Sequence, residues 1–152
     1  MKTQAAERHY LWRNRLAAPR RPSLELTNPD AKEVSMNDIV TAYLKTWNAT
    51  DPAERTALLG DHWTPEASYT DPMADVSGHD AISGVIGAVH TQFPGFVFSL
   101  VSGPDSHHNQ ARFQWGLGPA GEQPPIVGFD VLATDGDGRI RSVHGFLDQV
   151  PG

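Results

Sequence analysis

Residues 67–82 read ASYTDPMADVSGHDAI, and how they are read decides the fold. Ala67 and Tyr69 alternate with Ser68 and Thr70, the two-residue period of a strand. Asp71 follows, and Pro72 behind it disfavours the α conformation at Asp71 and keeps it extended. Past the turn the period changes: Ile82, Val85, Ile86, Val89 and Phe93 predict a helix over about 78–92, ended by FPG at 93–95. Gly84 and Gly87 weaken that helix and would permit close packing. The stretch is therefore a strand, a turn and a helix, with a carboxylate at the turn.

Upstream, Ile39, Val40, Tyr43, Leu44 and Trp47 share one helical face. Asp51, Pro52 and Glu54 then supply an N-cap, a first-turn proline and a third-position acid for a second helix, with Leu58 and Leu59 inward and Gly60 as its stop. The first strand covers 66–71. Downstream the period stays at two. Phe96, Phe98 and Leu100 alternate with Val97, Ser99 and Val101, and Ala111, Phe113, Trp115 and Leu117 with Arg112 and Gln114. Strands at 126–134 and 139–148 flank DGDG, a hairpin turn. The prediction is an α+β fold: three helices ahead of a curved, largely antiparallel sheet with a mixed edge. The order of elements suggests a cone wrapped around a long helix, with an apolar pocket at its open end.

The 152 residues suit one domain with a real core. Residues 1–35 carry a net charge of +3 and residues 36–152 a net charge of −9. A surface that acidic repels phosphate backbones, which argues against nucleic acid as a partner. No apolar run is long enough for a membrane span, and the chain has no cysteine, in keeping with a cytoplasmic setting. Residues 1–35 read as a basic, flexible extension, with a short helix over 5–17 as the alternative and Met36 as a possible natural start. Arg20 and Arg21 are followed by Pro22 and no apolar stretch, so a twin-arginine signal is rejected. The domain proper is expected over 36–152.

Three polar residues stand out by position. Asp71 shares a strand face with Ala67 and Tyr69, so it either points into the core or serves as an exposed turn residue before proline. Asp130 lies mid-strand in IVGFDVLAT. It is either on an edge strand facing water, or buried, where the charged form loses hydration and a protonated carboxyl becomes a hydrogen-bond donor. Tyr43 shares a helix face with Trp47, and its hydroxyl is a donor at the pocket or simply the polar rim of a core side chain.

At these residues the chain resembles the nuclear transport factor 2-like superfamily and, within it, ketosteroid isomerases and SnoaL-like polyketide cyclases. The resemblance covers roughly residues 36–150. YLKTWNATD resembles the segment bearing the isomerase's catalytic tyrosine, ASYTDPMADVSGHDAI the one bearing its general base, and GFDVLATDGDGRI the one bearing its oxyanion-binding aspartate. It thus implies Tyr43 as oxyanion donor, Asp71 as base and protonated Asp130 as second donor, with no cofactor and a small hydrophobic carbonyl compound as substrate. A non-catalytic binding or dimerisation module, or a cyclase or dehydratase, is the alternative. Extra residues around DHWTPEA place Trp63 where it would narrow the pocket.

Ligand contacts are expected from Trp47, Trp63, Tyr69, Phe113, Trp115, His144 and Phe146. His144 shares strand parity with Phe146 and is also a candidate acid or base; the alternative is a histidine bonded at the sheet surface. Arg112 falls on the face opposite Phe113 and Trp115, against an epoxide-hydrolase-like arrangement. The outward valines Val97, Val101, Val127, Val131 and Val143 are a candidate homodimer surface. The histidines show no metal-ligand spacing, and DGDG lacks the other ligands of a calcium loop.

Overall fold

Helix α1, Met36–Asn48, begins where Ser35 accepts a hydrogen bond from the Asp38 amide, satisfying one of the free N–H groups of the first turn. The computed structural model describes residues 34–152; the helix proposed for 5–17 lies outside them. Helix α2, Pro52–His62, starts at the Asp51 cap with Pro52 in its first turn. It runs through Gly60, which does not stop it. Strand β1, Trp63–Thr70, is longer than its alternation indicated and ends just before Asp71. A short strand β2, Asp75–Ser77, which the period did not reveal, precedes α3, His79–Gln92. Strands β3 (Phe96–His107), β4 (Gln110–Pro119), β5 (Ile126–Thr134) and β6 (Ile140–Gln149) complete the chain.

The six strands form one sheet in the order β2-β1-β6-β5-β4-β3. All neighbours are antiparallel except β1 and β6, which run parallel. The mixed edge is therefore real, and the sheet does not close. Its curvature follows from one side chain. β1 and β3 lie four strand spacings apart, about 19 Å on a flat sheet. Yet the Trp47 ring of α1 has Tyr69 of β1 at 5.3 Å and Phe98 of β3 at 5.2 Å. The sheet curls around α1 to allow both contacts. Asn48 pins the end of α1 to β3 by exchanging two hydrogen bonds with the Phe98 backbone, at 2.9 and 2.8 Å.

β5, a strand where the sequence indicated one, alternates strictly between buried and half-buried residues. β6 does not follow the expected parity. Val143 is fully buried and faces inward, while His144 is exposed. Val143 is thus core and no part of an outer surface. Among the described residues no helix is long and apolar enough to cross a membrane.

Arg55 of α2 is a buried cation that the apolar pattern concealed, only 5% exposed. Its Nε donates to Ser83 Oγ at 2.9 Å and its Nη1 to the Ala49 carbonyl at 2.8 Å. Gly87 of α3 makes room for it: a Cβ there would lie 3.1 Å from Nη2. Gly84, by contrast, has nothing within 4 Å of such a Cβ, so it allows no close packing. Arg55 locks α2 to α3 through Ser83 and to the end of α1 through the Ala49 carbonyl, by hydrogen bonds from a charged group, each worth about 1.5–3 kcal/mol. Arg55→Leu is expected to lower stability by roughly 2–4 kcal/mol, read as a shifted urea midpoint; an unchanged midpoint would refute the lock.

Candidate active site

Tyr43 and Asp130 meet in the centre of the fold. The Tyr43 hydroxyl donates to Asp130 Oδ2, joining the long helix to the middle of the sheet. β5 lies between β4 and β6, and Asp130 is opposite Phe113 on one side and Gly145 on the other. At 1% exposure it is buried, and the edge-strand reading falls. Its second oxygen, Oδ1, is buried and has no hydrogen-bond partner among the described residues. Burial pushes the Asp130 carboxyl up to about 6, and the negative charge of Asp71 adds to this; the hydrogen bond from Tyr43 and the nearby Trp115 indole pull the other way. Burial and the Asp130 charge push the Tyr43 hydroxyl well above its ordinary range.

Two aromatic side chains expected to touch a ligand hold Tyr43 instead. Trp63 is fully buried, stacks on Tyr43 at 5.6 Å and donates its indole N–H to Thr46 Oγ1 at 3.3 Å. Phe113 meets the Tyr43 ring edge-on at 5.3 Å. Neither lines the cavity. Both face inward as anticipated, but they sit behind the tyrosine, where the core is already closed. His144 is on the outer face, away from the cavity, because Val143 and Gly145 take the inward positions.

The cavity, about 240 Å³, is reached by Tyr43, Trp47, Tyr69, Asp71, Trp115 and Asp130. Phe146, 60% exposed, contributes at the mouth. Asp71 satisfies both of its earlier readings. Oδ1 accepts from the Met73 and Ala74 amides at 2.8 and 2.7 Å, which is turn punctuation. Oδ2 accepts from the Tyr69 hydroxyl at 2.7 Å and keeps one lone pair free. Burial, followed by the Asp130 charge, pushes the Tyr69 hydroxyl far above its usual range, so Tyr69 remains a donor. The pocket's apolar wall is continuous: Phe98 lies 5.2 Å from Trp47 and 5.4 Å from Trp115.

Two glycines complete the site and were not singled out from the sequence. A Cβ on Gly145 would lie 2.7 Å from Asp130 Oδ1 and 3.4 Å from Asp71 Cβ, so any larger residue here would collide with the Asp130 carboxyl group. A Cβ on Gly128 would overlap the Trp115 ring at 2.0 Å, so the indole lies flat across β5. The signal was available: glycine inside a strand marks close approach by another group.

Comparison with known proteins follows this geometry. The SnoaL-like domain pattern matches residues 40–143. A candidate isomerase of the SnoaL-like family from Agrobacterium tumefaciens is 37% identical, with 72% of this chain and 94% of that one covered and a TM-score of 0.68. A candidate ketosteroid isomerase from Kribbella flavida (15% identity, 75% and 78% covered, TM-score 0.55) and a candidate polyketide cyclase from Sinorhizobium meliloti (20%, 74% and 99%, 0.57) share the fold. No match was found among curated proteins.

The raised Asp130 carboxyl has a consequence for stability. Its ordinary value is 3.8 and its folded value about 6. Between these the folded chain holds more protons than the unfolded chain, so stability falls as pH rises through that window, by about 3 kcal/mol in total. Asp130→Asn removes the penalty. Urea midpoints of the variant are expected to gain on those of the parent between pH 4 and pH 7, and parallel curves would contradict this.

Proposed function

The chain belongs to the SnoaL-like domain family of the nuclear transport factor 2-like superfamily, and on that premise we propose that it is a cofactor-independent isomerase moving a proton within a hydrophobic carbonyl compound. The observation that carries this reading is the pair of carboxylates on one apolar cavity in unlike surroundings. Asp130 is buried and bonded to Tyr43; Asp71 is fixed by backbone amides at the end of β1. Such divergence suits one carboxyl to act as acid and the other as base. Asp71 takes the α-proton on its free Oδ2 lone pair and returns it at another carbon. Protonated Asp130 donates from Oδ1 to the developing enolate oxygen. Tyr43, whose proton goes to Oδ2, keeps that carboxyl aimed. An apolar substrate displacing water favours the protonated carboxyl further. The same first step, removal of an acidic α-proton, also serves a cyclase or dehydratase.

A second reading, a non-catalytic binding module, draws on the three hydrogen bonds that Asp71 already accepts. A panel of β,γ-unsaturated ketones, followed by the absorbance of the conjugated product, separates the two. Turnover is expected to fall at least about 100-fold in Asp71→Asn with little change in KM. In the parent it falls as pH rises past about 6, where Asp130 loses its proton. Ligand binding without turnover across the panel would favour the binding module.

For assembly we propose a homodimer through the outer sheet face, where Val97 and Val101 are 39% and 47% exposed. Sedimentation equilibrium is expected to give a dimer that Val101→Glu weakens; a monomeric parent at micromolar concentration would exclude it.

A further inference from the structure

We propose that the pocket also binds hydrophobic primary ammonium ions, its two carboxylates gripping the cationic head and its aromatic wall the hydrocarbon. This goes beyond the isomerase reading, because it requires binding and no chemistry.

Charge is the first argument. Among the described residues, Asp71 and Asp130 are the acidic side chains on the cavity, and no lysine, arginine or histidine of them lines it. A buried carboxylate without a countercharge is costly, and a cationic guest removes that cost. Hydrogen bonding is the second. Asp130 Oδ1 is an orphaned acceptor in a side chain 1% exposed, and Asp71 Oδ2 has a spare lone pair. A primary ammonium brings three donors and no acceptor, so it can serve both oxygens at once. An alcohol brings one.

Geometry is the third. Asp130 and Asp71 both reach the cavity, and Gly145 lets Asp130 Oδ1 lie close against β6, since a Cβ there would be 2.7 Å from that oxygen. The rings of Tyr43, Trp47, Tyr69 and Trp115 line the same cavity, and aromatic rings attract cations at their faces. At the mouth, Met73, Phe146 and Val150 are 76%, 60% and 55% exposed and line the same cavity, an apolar rim for the tail of an amphipathic guest. A carboxylate guest meets only like charge.

Protonation ties the two uses of the pocket together. The titratable groups facing Asp130 are Tyr43 from α1 and Tyr69 and Asp71 from the β1 segment, and none is basic. Enolate stabilisation needs Asp130 protonated, whereas the ammonium needs it ionised. Ammonium binding below about pH 6 must therefore release a proton.

The test is calorimetry on the full chain with three probes of one shape: cyclohexylmethylammonium, cyclohexylmethanol and cyclohexanecarboxylate. At pH 7.5 the ammonium is expected to bind at least about tenfold tighter than the alcohol, and the carboxylate not at all. At pH 5 the preference shrinks and proton release appears as a buffer-dependent heat. Asp130→Asn, with folding checked by its thermal transition, loses the preference but keeps the alcohol affinity; Asp71→Asn reduces the preference. Equal affinity for ammonium and alcohol would overturn the proposal, as would a preference surviving in both variants, which would trace it to the overall charge of −6. The ketone assay keeps the two readings apart. Ammonium binding without turnover of any ketone supports this proposal and removes the isomerase; turnover without ammonium preference does the reverse.

Discussion

The hydrogen bond from Tyr43 to Asp130 is the constraint on which the rest of the structure hangs. It connects the long helix to the central strand, and both groups are buried. Leaving either partner alone there would cost more than the bond itself contributes. The surroundings are organised to keep it. Trp63 and Phe113 fix the tyrosine ring from two sides, Thr46 fixes Trp63, and Gly145 leaves the carboxylate its space.

Its electrostatic character sets what the cavity can do. Two carboxylates share one apolar space, but one has backbone amides to stabilise its charge and the other has a phenol and an orphaned oxygen. That inequality puts the same functional group in two unlike environments.

Much of this was legible in the sequence, and the illegible parts have definite causes. β5 was legible as a strand, whereas the face of Asp130 was not, since an edge strand facing water and a buried carboxyl both fitted the sequence. The Asp51–Pro52 start of α2 was equally plain, since capping is a local property. β2, three residues long, is too short for any period to register. In β6 the run Val143, His144, Gly145, Phe146 gives apolar residues to both parities, so the face was assigned the wrong way and His144 with it. Trp63 and Phe113 were placed on the correct face but at the wrong depth. Alternation tells which side of a sheet a residue is on, and not whether the space there is filled. That depends on neighbours far away in the chain.

The parallel pairing of β1 with β6 bears on how the protein is made. Asp71 lies just after β1, while Gly145, Phe146 and Leu147 of the cavity belong to β6. During synthesis the helices and the first five strands leave the ribosome before the strand that must slot between β1 and β5. Until it does, both of those strands present unpaired edges and the apolar wall stands open. The nascent chain is therefore most exposed to aggregation immediately before its last strand emerges, and a ligand has nothing complete to bind until that strand is home.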